Sequence, residues 1–326
     1  MKSSIQAYIN ALQGHQYIPQ ADQIIMNIIE EKGGRAFTRF SVLDVGCGPA
    51  RLTYRVAHLP IKNKSLVEGI HITGVDISPS LIENCDKVVL NIEKVFNAKN
   101  GDGQRNVNLM CSDFATGRDT WFDSDHIFTF PGNQDVILIQ RVMHHIFGGD
   151  RTKFFQKSSE LLRKDGILII GDEFVRQYAS EEERKLRVAN FSLHIIAEAI
   201  KGGFSELAYR EALKLGDDVF NTEIDAGFAH EEILEYIYDF ATKANDTLYK
   251  IGSLWGSDIA KPLMEKLQQY CNSISEAESP TRDSYRISIP VFIKEAKYYG
   301  FKLSETYKIG PVDQLGGMGV LVFQKR

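Results

Sequence analysis

Short apolar segments alternate with longer amphipathic segments over residues 40–175. The apolar segments have the length of β-strands, and the segments between them have the length and periodicity of helices. This alternation is typical of a parallel sheet whose strands are joined by crossover helices. The strands that it predicts are Ser41–Val45, His71–Asp76, Val107–Cys111, Asp135–Gln140 and Gly166–Gly171.

Both ends of the chain extend this core. Isoleucines at helical spacing precede a glycine pair in residues 1–39, which are therefore predicted to form a helical extension. These isoleucines are Ile24, Ile25, Ile28 and Ile29. Near the carboxyl terminus the pattern predicts a helix over Ile289–Gly300 and strands over Phe301–Ile309 and Met318–Gln324. A turn rich in Gly and Pro joins the two strands, which predicts an antiparallel hairpin at the edge of the sheet.

Residues 176–289 interrupt the α/β pattern, because they show helical periodicity and no strand-like segment. The stretch 176–290 contains 20 acidic and 13 basic residues, a net charge of −7, whereas the rest of the chain carries +2. We predict a helical insertion that leaves the sheet at the carboxyl end of the fifth strand. Together with residues 1–30 it is expected to cover the carboxyl-terminal edge of the sheet, where open sheets bind ligands, and to shape a pocket there. A dimerisation or packing element is the open alternative.

The composition narrows the classes of function. The 326 residues include 43 acidic and 38 basic residues, a net charge of −5, so no nucleic-acid partner is expected. No apolar run reaches the roughly 18 residues that a membrane helix needs, and the amino terminus lacks the apolar core of a signal peptide. A cytoplasmic location is therefore expected. The cysteines show no metal-binding spacing, and no metal site is predicted. They are Cys47, Cys85, Cys111 and Cys271.

The segment Val42–Leu52 runs from an apolar strand through a glycine-rich turn into a helix. Gly46 and Gly48 permit backbone conformations forbidden to other residues and carry no side chain, so a ligand can approach the backbone closely. No Gly-Lys-Ser/Thr follows, which excludes a P-loop. The dinucleotide fingerprint G-x-G-x-x-G is also imperfect, since no glycine stands at the place of its third glycine.

Two further strand ends carry carboxylates. Asp76 ends the second predicted strand, where it can accept hydrogen bonds from both ribose hydroxyls of a bound nucleoside. Asp113 follows the third strand and can accept from an adenine amino group, while Phe114 offers a ring face. Each acid alone is typical of a solvated strand end. Their occurrence at successive carboxyl ends, where open sheets bind ligands, favours a nucleoside site.

Together these segments resemble the class I S-adenosylmethionine-dependent methyltransferases. The matching segments are VLDVGCGPARLT (42–53), ITGVDIS (72–78), CSDF (111–114), DVILIQRVMHHI (135–146), LLRKDGILIIGDE (161–173) and GFKLSETYKIG (300–310). The resemblance covers about residues 40–175 and 290–326. It implies a doubly wound, seven-stranded Rossmann-like sheet, S-adenosylmethionine as cofactor and S-adenosylhomocysteine as product.

The resemblance also implies roles for individual residues. Asp44 is expected near the methionine amino group, and Gly46 and Gly48 are expected to line the cofactor. Asp76 is expected to bind the ribose, and Asp113 the adenine. Neighbours within the same motifs complete the expected cofactor contacts: Cys47, Ile77, Phe114 and Gln140.

Two positions depart from the family pattern. Ala50 stands where many members have a third glycine, and its small side chain is compatible with cofactor binding. The segment Gln140-Arg141-Val142-Met143 stands where members that methylate exocyclic amines of nucleic-acid bases, or glutamine side chains, carry Asn/Asp-Pro-Pro-Tyr. The resemblance therefore argues against N-methylation of bases.

His144 and His145 follow the fourth strand, at the edge where the methyl group is expected to emerge. A histidine there can act as a general base or orient the acceptor. We expect a helix to begin near Val142 and His144 to face the acceptor, with His145 as the alternate; packing or helix capping is the open alternative. Asp172 and Glu173 end the fifth strand on the same edge, either as further site acids or as solvated carboxylates.

The predicted function is methyl transfer from S-adenosylmethionine to an oxygen, nitrogen or carbon atom of a small-molecule substrate. The alternatives are a protein methyltransferase and a catalytically silent protein that binds the cofactor as an assembly partner. The predicted domains are a helical extension (1–39), a methyltransferase domain (40–175 with 290–326) and a helical insertion (176–289). A homodimer is compatible with the sequence.

Overall fold

A computed structural model describes residues 17–36, 38–59, 69–82, 105–114, 129–146, 148–181, 183–184, 187–188, 191 and 285–325. The predictions for residues 1–16 and for most of the insertion lie outside these described residues. The domain boundaries, and the choice between a cover and a dimerisation element, therefore stay predictions.

The elements with defined bounds are seven strands and five α-helices, and further helical residues lie between 181 and 191. The helices are α1 (Tyr17–Gly34), α2 (Arg51–Ala57), α3 (Pro79–Ile82), α4 (Gly149–Leu161) and α5 (Ile289–Tyr298). The strands are β1 (Arg39–Val45), β2 (Gly69–Asp76), β3 (Arg105–Cys111), β4 (Gln134–Gln140), β5 (Leu162–Val175), β6 (Phe301–Ile309) and β7 (Gly316–Lys325). A single 3₁₀ turn, Met143–His145, lies between β4 and α4.

The seven strands form one mixed sheet in the order β3-β2-β1-β4-β5-β7-β6. Neighbouring strands from β3 to β5 pair in parallel. Only residues 310–315 join β6 to its neighbour β7, which is too short for a parallel crossover, so the two strands form a hairpin. The prediction of a doubly wound α/β sheet is confirmed. Its strand order reverses between β1 and β4, and open sheets bind ligands at the carboxyl ends on either side of such a point.

Continuous apolar runs explain why the central strands are buried. In β4, Val136–Ile139 are all inaccessible to solvent, as expected for a parallel strand covered on both faces. Helix α1 buries Ile25 and Ile29 completely and leaves Ile24 and Ile28 half-buried, which confirms the predicted helical stripe. Burying one such side chain contributes about 1.5–3 kcal/mol to stability.

The structure differs from the prediction after β4. The helix expected near Val142 is a single 3₁₀ turn, and α4 begins only at Gly149. Arg141 adopts a left-handed conformation with a φ of 58°, and Gly148 has a φ of 57°. These two residues interrupt the right-handed path that a continuous helix requires. The two histidines therefore lie on a short turn rather than in the first turn of an α-helix.

The chain divides into two compact units. One comprises residues 1–20, 174–288 and 309–317, and the other comprises the remainder. Within the first unit, the backbone N–H of Val175 donates to the carbonyl of Ile287 at 3.2 Å. The guanidinium of Arg184 lies 4.2 Å from the Tyr285 ring centroid and donates to the carbonyl of Arg286 at 3.2 Å. The segments that flank residues 192–284 are therefore in contact with each other through hydrogen bonds and a cation–π contact.

None of the helices in the described part of the chain is long and apolar enough to cross a membrane. Among the same residues, no group of three or more His, Cys, Asp or Glu side chains is placed to hold a metal ion.

Candidate active site

The carboxyl ends of the parallel strands bring most of the predicted site residues to one edge of the sheet. Asp44 is the penultimate residue of β1, Asp76 is the last residue of β2, and Gln140 is the last residue of β4. Asp113 lies two residues beyond β3, and His144 lies four residues beyond β4. This edge includes the point where the strand order reverses.

The glycine-rich turn is fixed by hydrogen bonds to β2. The N–H groups of Gly46 and Cys47 donate to the carbonyl of Val75 at 2.7 and 3.0 Å, and the N–H of Gly48 donates to Asp76 Oδ2 at 2.8 Å. A Cβ atom on Gly46 would lie 2.4 Å from Val142 Cγ2, and the φ of Gly46 is +70°. The chain therefore requires glycine at position 46 even before any ligand is considered.

Ala50 shows why a glycine is common at its position. It is a non-glycine residue with a φ of 56°, at the start of α2. A left-handed conformation costs an L-residue roughly 1–2 kcal/mol. Ala50 is buried and packs with Cys47, Ile82 and Cys111, so its methyl group contributes apolar contacts that offset part of this strain.

Asp76 connects the turn to the end of β2 and keeps capacity to accept more hydrogen bonds. Its Oδ2 accepts from Gly48 and its Oδ1 accepts from the N–H of Ser78, each at 2.8 Å. A carboxylate oxygen has two acceptor positions, so each oxygen can still accept one hydroxyl. Burial raises the pKa of Asp76, and the two backbone N–H groups partly oppose that effect. The next side chain, Ile77, is 61% exposed and presents an apolar surface.

Asp44 is a buried carboxylate, 3% exposed, on β1. Its Oδ2 accepts a hydrogen bond of 2.6 Å from the hydroxyl of Thr53 on α2. Burial raises the pKa of Asp44 to about 6, although the Thr53 hydroxyl and the nearby charge of Arg51 lower it. A cation bound beside Asp44 would favour its charged form, which makes it a suitable partner for an ammonium group.

The raised pKa predicts how Asp44 affects stability. The native state binds more protons than the unfolded state between the ordinary pKa of 3.8 and about 6, so stability falls as the pH rises through this window. The variant Asp44→Asn lacks this titration. Relative to the variant, the wild type should lose about 2.4 kcal/mol of unfolding free energy between pH 4 and pH 7. Denaturant unfolding of both proteins at several pH values measures the difference, and a constant difference would contradict the prediction.

Asp22, a buried carboxylate on α1, lies at the centre of a polar cluster. It accepts hydrogen bonds from both Nη atoms of Arg51, from Nη1 of Arg55 and, at 2.7 Å, from the amide of Gln140. Arg51 Nη2 also donates to Gln140 Oε1 at 3.3 Å. We call these four residues the Asp22 cluster; its formal charge is +1. The predicted contact of Gln140 with the cofactor stays a prediction, since its side chain is engaged here.

Three other predicted contacts have different surroundings. Phe114 is buried, and its ring centroid lies 5.3 Å from that of Phe130 and 5.7 Å from that of Phe154. The thiol of Cys47 is directed to the carbonyl of Gly48 at 3.7 Å and is buried. Asp113 is half-buried. A ring face of Phe114 toward adenine, and the roles of Cys47 and Asp113, stay predictions.

His144 forms a pair with Asp172 at the carboxyl ends of β4 and β5. Its Nδ1 lies 2.6 Å from Asp172 Oδ1, and its backbone N–H donates to Asp172 Oδ2 at 3.0 Å. Burial acts to raise the pKa of Asp172. The positive charge that His144 carries in its protonated form, its hydrogen bond to Asp172 and the backbone N–H of Glu173 together outweigh burial and hold that pKa below its ordinary value. When the imidazole is neutral, the ionised Asp172 accepts the Nδ1 proton, and the lone pair then lies on Nε2.

Four residues lie around His144 at this edge: His145, Arg141, Asp172 and Glu173. His145 is exposed, and its ring centroid lies 4.0 Å from that of His144. Arg141 Nη2 lies 3.4 Å from Glu173 Oε1. Asp172 and Glu173 are both buried, so the alternative that they are solvated strand-end carboxylates is wrong.

The prediction from sequence missed Asp22, Arg51 and Arg55 as members of this edge, and it also missed Arg151 of α4. Arg51 and Arg55 stand one helical turn apart directly after the glycine-rich turn, and this spacing was a usable signal. Nothing in the local pattern around Asp22 or Arg151 indicates which residues they contact.

Comparison with known proteins identifies the family of the chain. A family model described as a methyltransferase domain matches residues 38–200, which is half of the chain. The chain belongs to this family and is a class I S-adenosylmethionine-dependent methyltransferase. S-adenosylmethionine is therefore its cofactor. A search of curated proteins finds no matching sequence.

Several solved structures are similar to the chain. A candidate sarcosine dimethylglycine methyltransferase from Galdieria sulphuraria is 14% identical, with 94% of this chain and 86% of that chain covered and a TM-score of 0.44. Magnesium protoporphyrin IX methyltransferase from Synechocystis PCC 6803, with bound S-adenosylhomocysteine, is 13% identical, with 96% and 84% covered and a TM-score of 0.44. A methyltransferase from Methanosarcina mazei is 12% identical, with 89% and 94% covered and a TM-score of 0.43.

Proposed function

We propose that this methyltransferase acts on a small-molecule acceptor and that His144 is its general base. The observation that carries the proposal is the pair formed by His144 and Asp172, with 2.6 Å between Nδ1 and Oδ1, at the edge where open sheets bind ligands. A second carboxylate contact, to the His144 backbone N–H, fixes the orientation further. Asp172 is proposed to orient the imidazole, and Nε2 is proposed to accept the proton of the acceptor.

The residues at this edge fit the cofactor. Asp76 keeps acceptor positions for two ribose hydroxyls, and the exposed side chain of Ile77 beside it offers an apolar surface for adenine. Asp44 is proposed to face the methionine ammonium group. Gly46 and Gly48 are proposed to line the cofactor, and Cys47, Asp113, Phe114 and Gln140 are proposed to complete its surroundings.

Methyl transfer requires the protein mainly to position the two reactants. When bound, S-adenosylmethionine supplies a methyl carbon that is already electrophilic. The chain has to align the acceptor atom in line with that carbon, exclude water and accept one proton when the acceptor is a hydroxyl or an acidic carbon. The Nε2 lone pair of His144 is proposed to accept that proton. An acceptor atom that carries no such proton needs only to be aligned with the methyl carbon.

The Asp22 cluster is proposed to hold the cofactor carboxylate. Its charge is +1, and the charges of Asp22 and Arg51 both act on Asp44, which supports a carboxylate site near the proposed ammonium site. Arginine has five N–H donors, and the contacts within the cluster engage two nitrogens of Arg51 and one of Arg55. Donors therefore remain for a carboxylate, which a guanidinium binds well.

Comparing the affinities for two ligands distinguishes carboxylate binding by Arg51 from a purely structural role. Arg51→Ala should lower the affinity for S-adenosylhomocysteine by about 10- to 100-fold, as expected for one lost charged hydrogen bond. Its affinity for 5′-methylthioadenosine, which lacks the carboxylate, should stay within about twofold of the wild type. Calorimetry measures both affinities. Arg163→Ala, which removes an ion pair with Asp135 at the opposite ends of the strands, is the matched control. Equal losses for both ligands would show that Arg51 supports the fold only.

A small-molecule acceptor is favoured over nucleic acid by charge. The stretch 176–290 carries a net charge of −7, and the whole chain carries −5, so phosphate backbones would be repelled. A protein acceptor is the second candidate, and a cofactor-binding protein without turnover is the third.

We further propose that residues 176–289 form an insertion, because the described residues at its two ends, Val175 and Ile287, are hydrogen-bonded to each other.

Transfer of a labelled methyl group tests the proposal. The full chain is incubated with methyl-labelled S-adenosylmethionine and a cell extract, which is then separated into a small-molecule filtrate and a macromolecular fraction. Label should accumulate in the filtrate, and His144→Gln should abolish most of it. Label mainly in the protein fraction would favour a protein methyltransferase. No label in either fraction, with cofactor binding intact, would favour the silent binding protein.

A further inference from the structure

Arg151 connects α4 to the turn that carries the two histidines. It is 3% exposed, although it is charged. Its Nε donates to the carbonyl of Ile146 at 2.8 Å, and its Nη2 donates to the carbonyl of Met143 at 3.0 Å. Its Nη1 lies 3.2 Å from Oε2 of Glu295 on α5. One guanidinium therefore contacts the backbone on both sides of His144 and His145.

The turn depends on such contacts, because its own backbone bonds are few. A 3₁₀ turn is short and has poorer hydrogen-bond geometry than an α-helix. Two backbone bonds close this one: His145 N–H to the carbonyl of Val142 at 2.9 Å, and Ile146 N–H to the carbonyl of Met143 at 3.1 Å. Regular secondary structure thus supplies little to fix the direction of the His144 ring.

Two residues from outside the turn, Asp172 and Arg151, hold it in place. Asp172, on β5, holds the ring and the N–H of His144. Arg151 holds the two carbonyls that flank the histidines, and its planar, rigid group of donors fixes the distance between them. Glu295 compensates the charge of the buried guanidinium. The turn is therefore held from β5 and from α4 at the same time.

We propose that Arg151 is a positioning residue for methyl transfer. By holding the Met143 and Ile146 carbonyls, it keeps the His144 ring with Nδ1 on Asp172 and Nε2 available to the acceptor. This inference rests on the proposed function, in which His144 is the base. Arg151 itself touches neither the acceptor nor the cofactor in this account, and it acts through the turn alone.

The tautomer of His144 reports this role without any acceptor. In full-length protein labelled with ¹⁵N-histidine, with the signal assigned by His144→Gln, the wild type should show the Nδ1–H tautomer. In Arg151→Met the turn loses its two anchors, and the His144 signals should show a mixture of both tautomers. Arg151→Lys, which provides a positive charge but no rigid pair of donors, should recover part of the wild-type signal. Once an acceptor is known, kcat of Arg151→Met should fall by about 10- to 100-fold with S-adenosylhomocysteine affinity unchanged.

Arg163→Met is the matched control, because it removes a guanidinium whose ion pair with Asp135 lies at the other ends of β4 and β5. It should leave the His144 signals unchanged. Wild-type tautomer signals in folded Arg151→Met would overturn the proposal and leave the Arg151–Glu295 pair a purely structural role. If Arg151→Met does not fold, unchanged signals in both Arg151→Lys and Glu295→Gln would overturn it equally. Failure of the proposed function would appear separately, as undiminished transfer by His144→Gln.

Discussion

Replacing His144 by Gln should lower kcat by about 10²–10⁴-fold, equivalent to roughly 3–5 kcal/mol of barrier, when the acceptor is a hydroxyl or an acidic carbon. Glutamine keeps the volume and polarity of the side chain but cannot accept a proton at neutral pH. Because His144 lies outside the proposed cofactor contacts, the affinity for S-adenosylhomocysteine should be unchanged.

His145→Gln is the matched control for this prediction. His145 is exposed and adjacent, and its ring lies 4.0 Å from that of His144 between centroids. It makes neither of the two contacts with Asp172, so its replacement should change kcat by no more than about threefold. A large loss of kcat in His145→Gln with little change in His144→Gln would assign the role of general base to His145. Nearly unchanged rates in both variants would leave catalysis to positioning alone.

Replacing Asp76 by Ala should lower the affinity for S-adenosylhomocysteine by about 1.5–3 kcal/mol, roughly 10- to 150-fold. The carboxylate is proposed to accept both ribose hydroxyls. It also accepts the N–H groups of Gly48 and Ser78, so its loss loosens the glycine-rich turn as well. Calorimetry with wild type and variant gives the total effect.

An analogue without the ribose hydroxyls separates the two contributions. The wild type should lose affinity when these hydroxyls are missing, whereas Asp76→Ala should bind the analogue and S-adenosylhomocysteine with similar affinity. Equal losses in both proteins on removal of the hydroxyls would assign ribose recognition to another residue. Asp76 would then be only a structural support of the turn.

The strands could be predicted from the sequence because parallel strands buried on both faces leave continuous apolar runs. The bounds predicted for β6, Phe301–Ile309, match the structure. The start of β5 was predicted at Gly166, four residues late, because Arg163, Lys164 and Asp165 interrupt the apolar run. The edge of the sheet that carries the site followed from the same pattern.

The partners within the site could not be predicted, because they depend on register and on helix docking. Gln140 pairs with Gly171 across β4 and β5, and this register brings Asp172 to the turn that carries His144. No local pattern specifies that register. The position of Asp22 beside Arg51 depends on how α1 packs, which hydrophobic periodicity does not define.

A crystal structure of the full chain with bound S-adenosylhomocysteine tests the central claim most directly. Both ribose hydroxyls should lie within about 2.6–3.2 Å of the Asp76 carboxylate. The sulfur should lie at the carboxyl ends of β1 and β4, with the space beyond it facing His144 Nε2. A ribose bound by another residue, or a sulfur directed away from His144, would contradict the account.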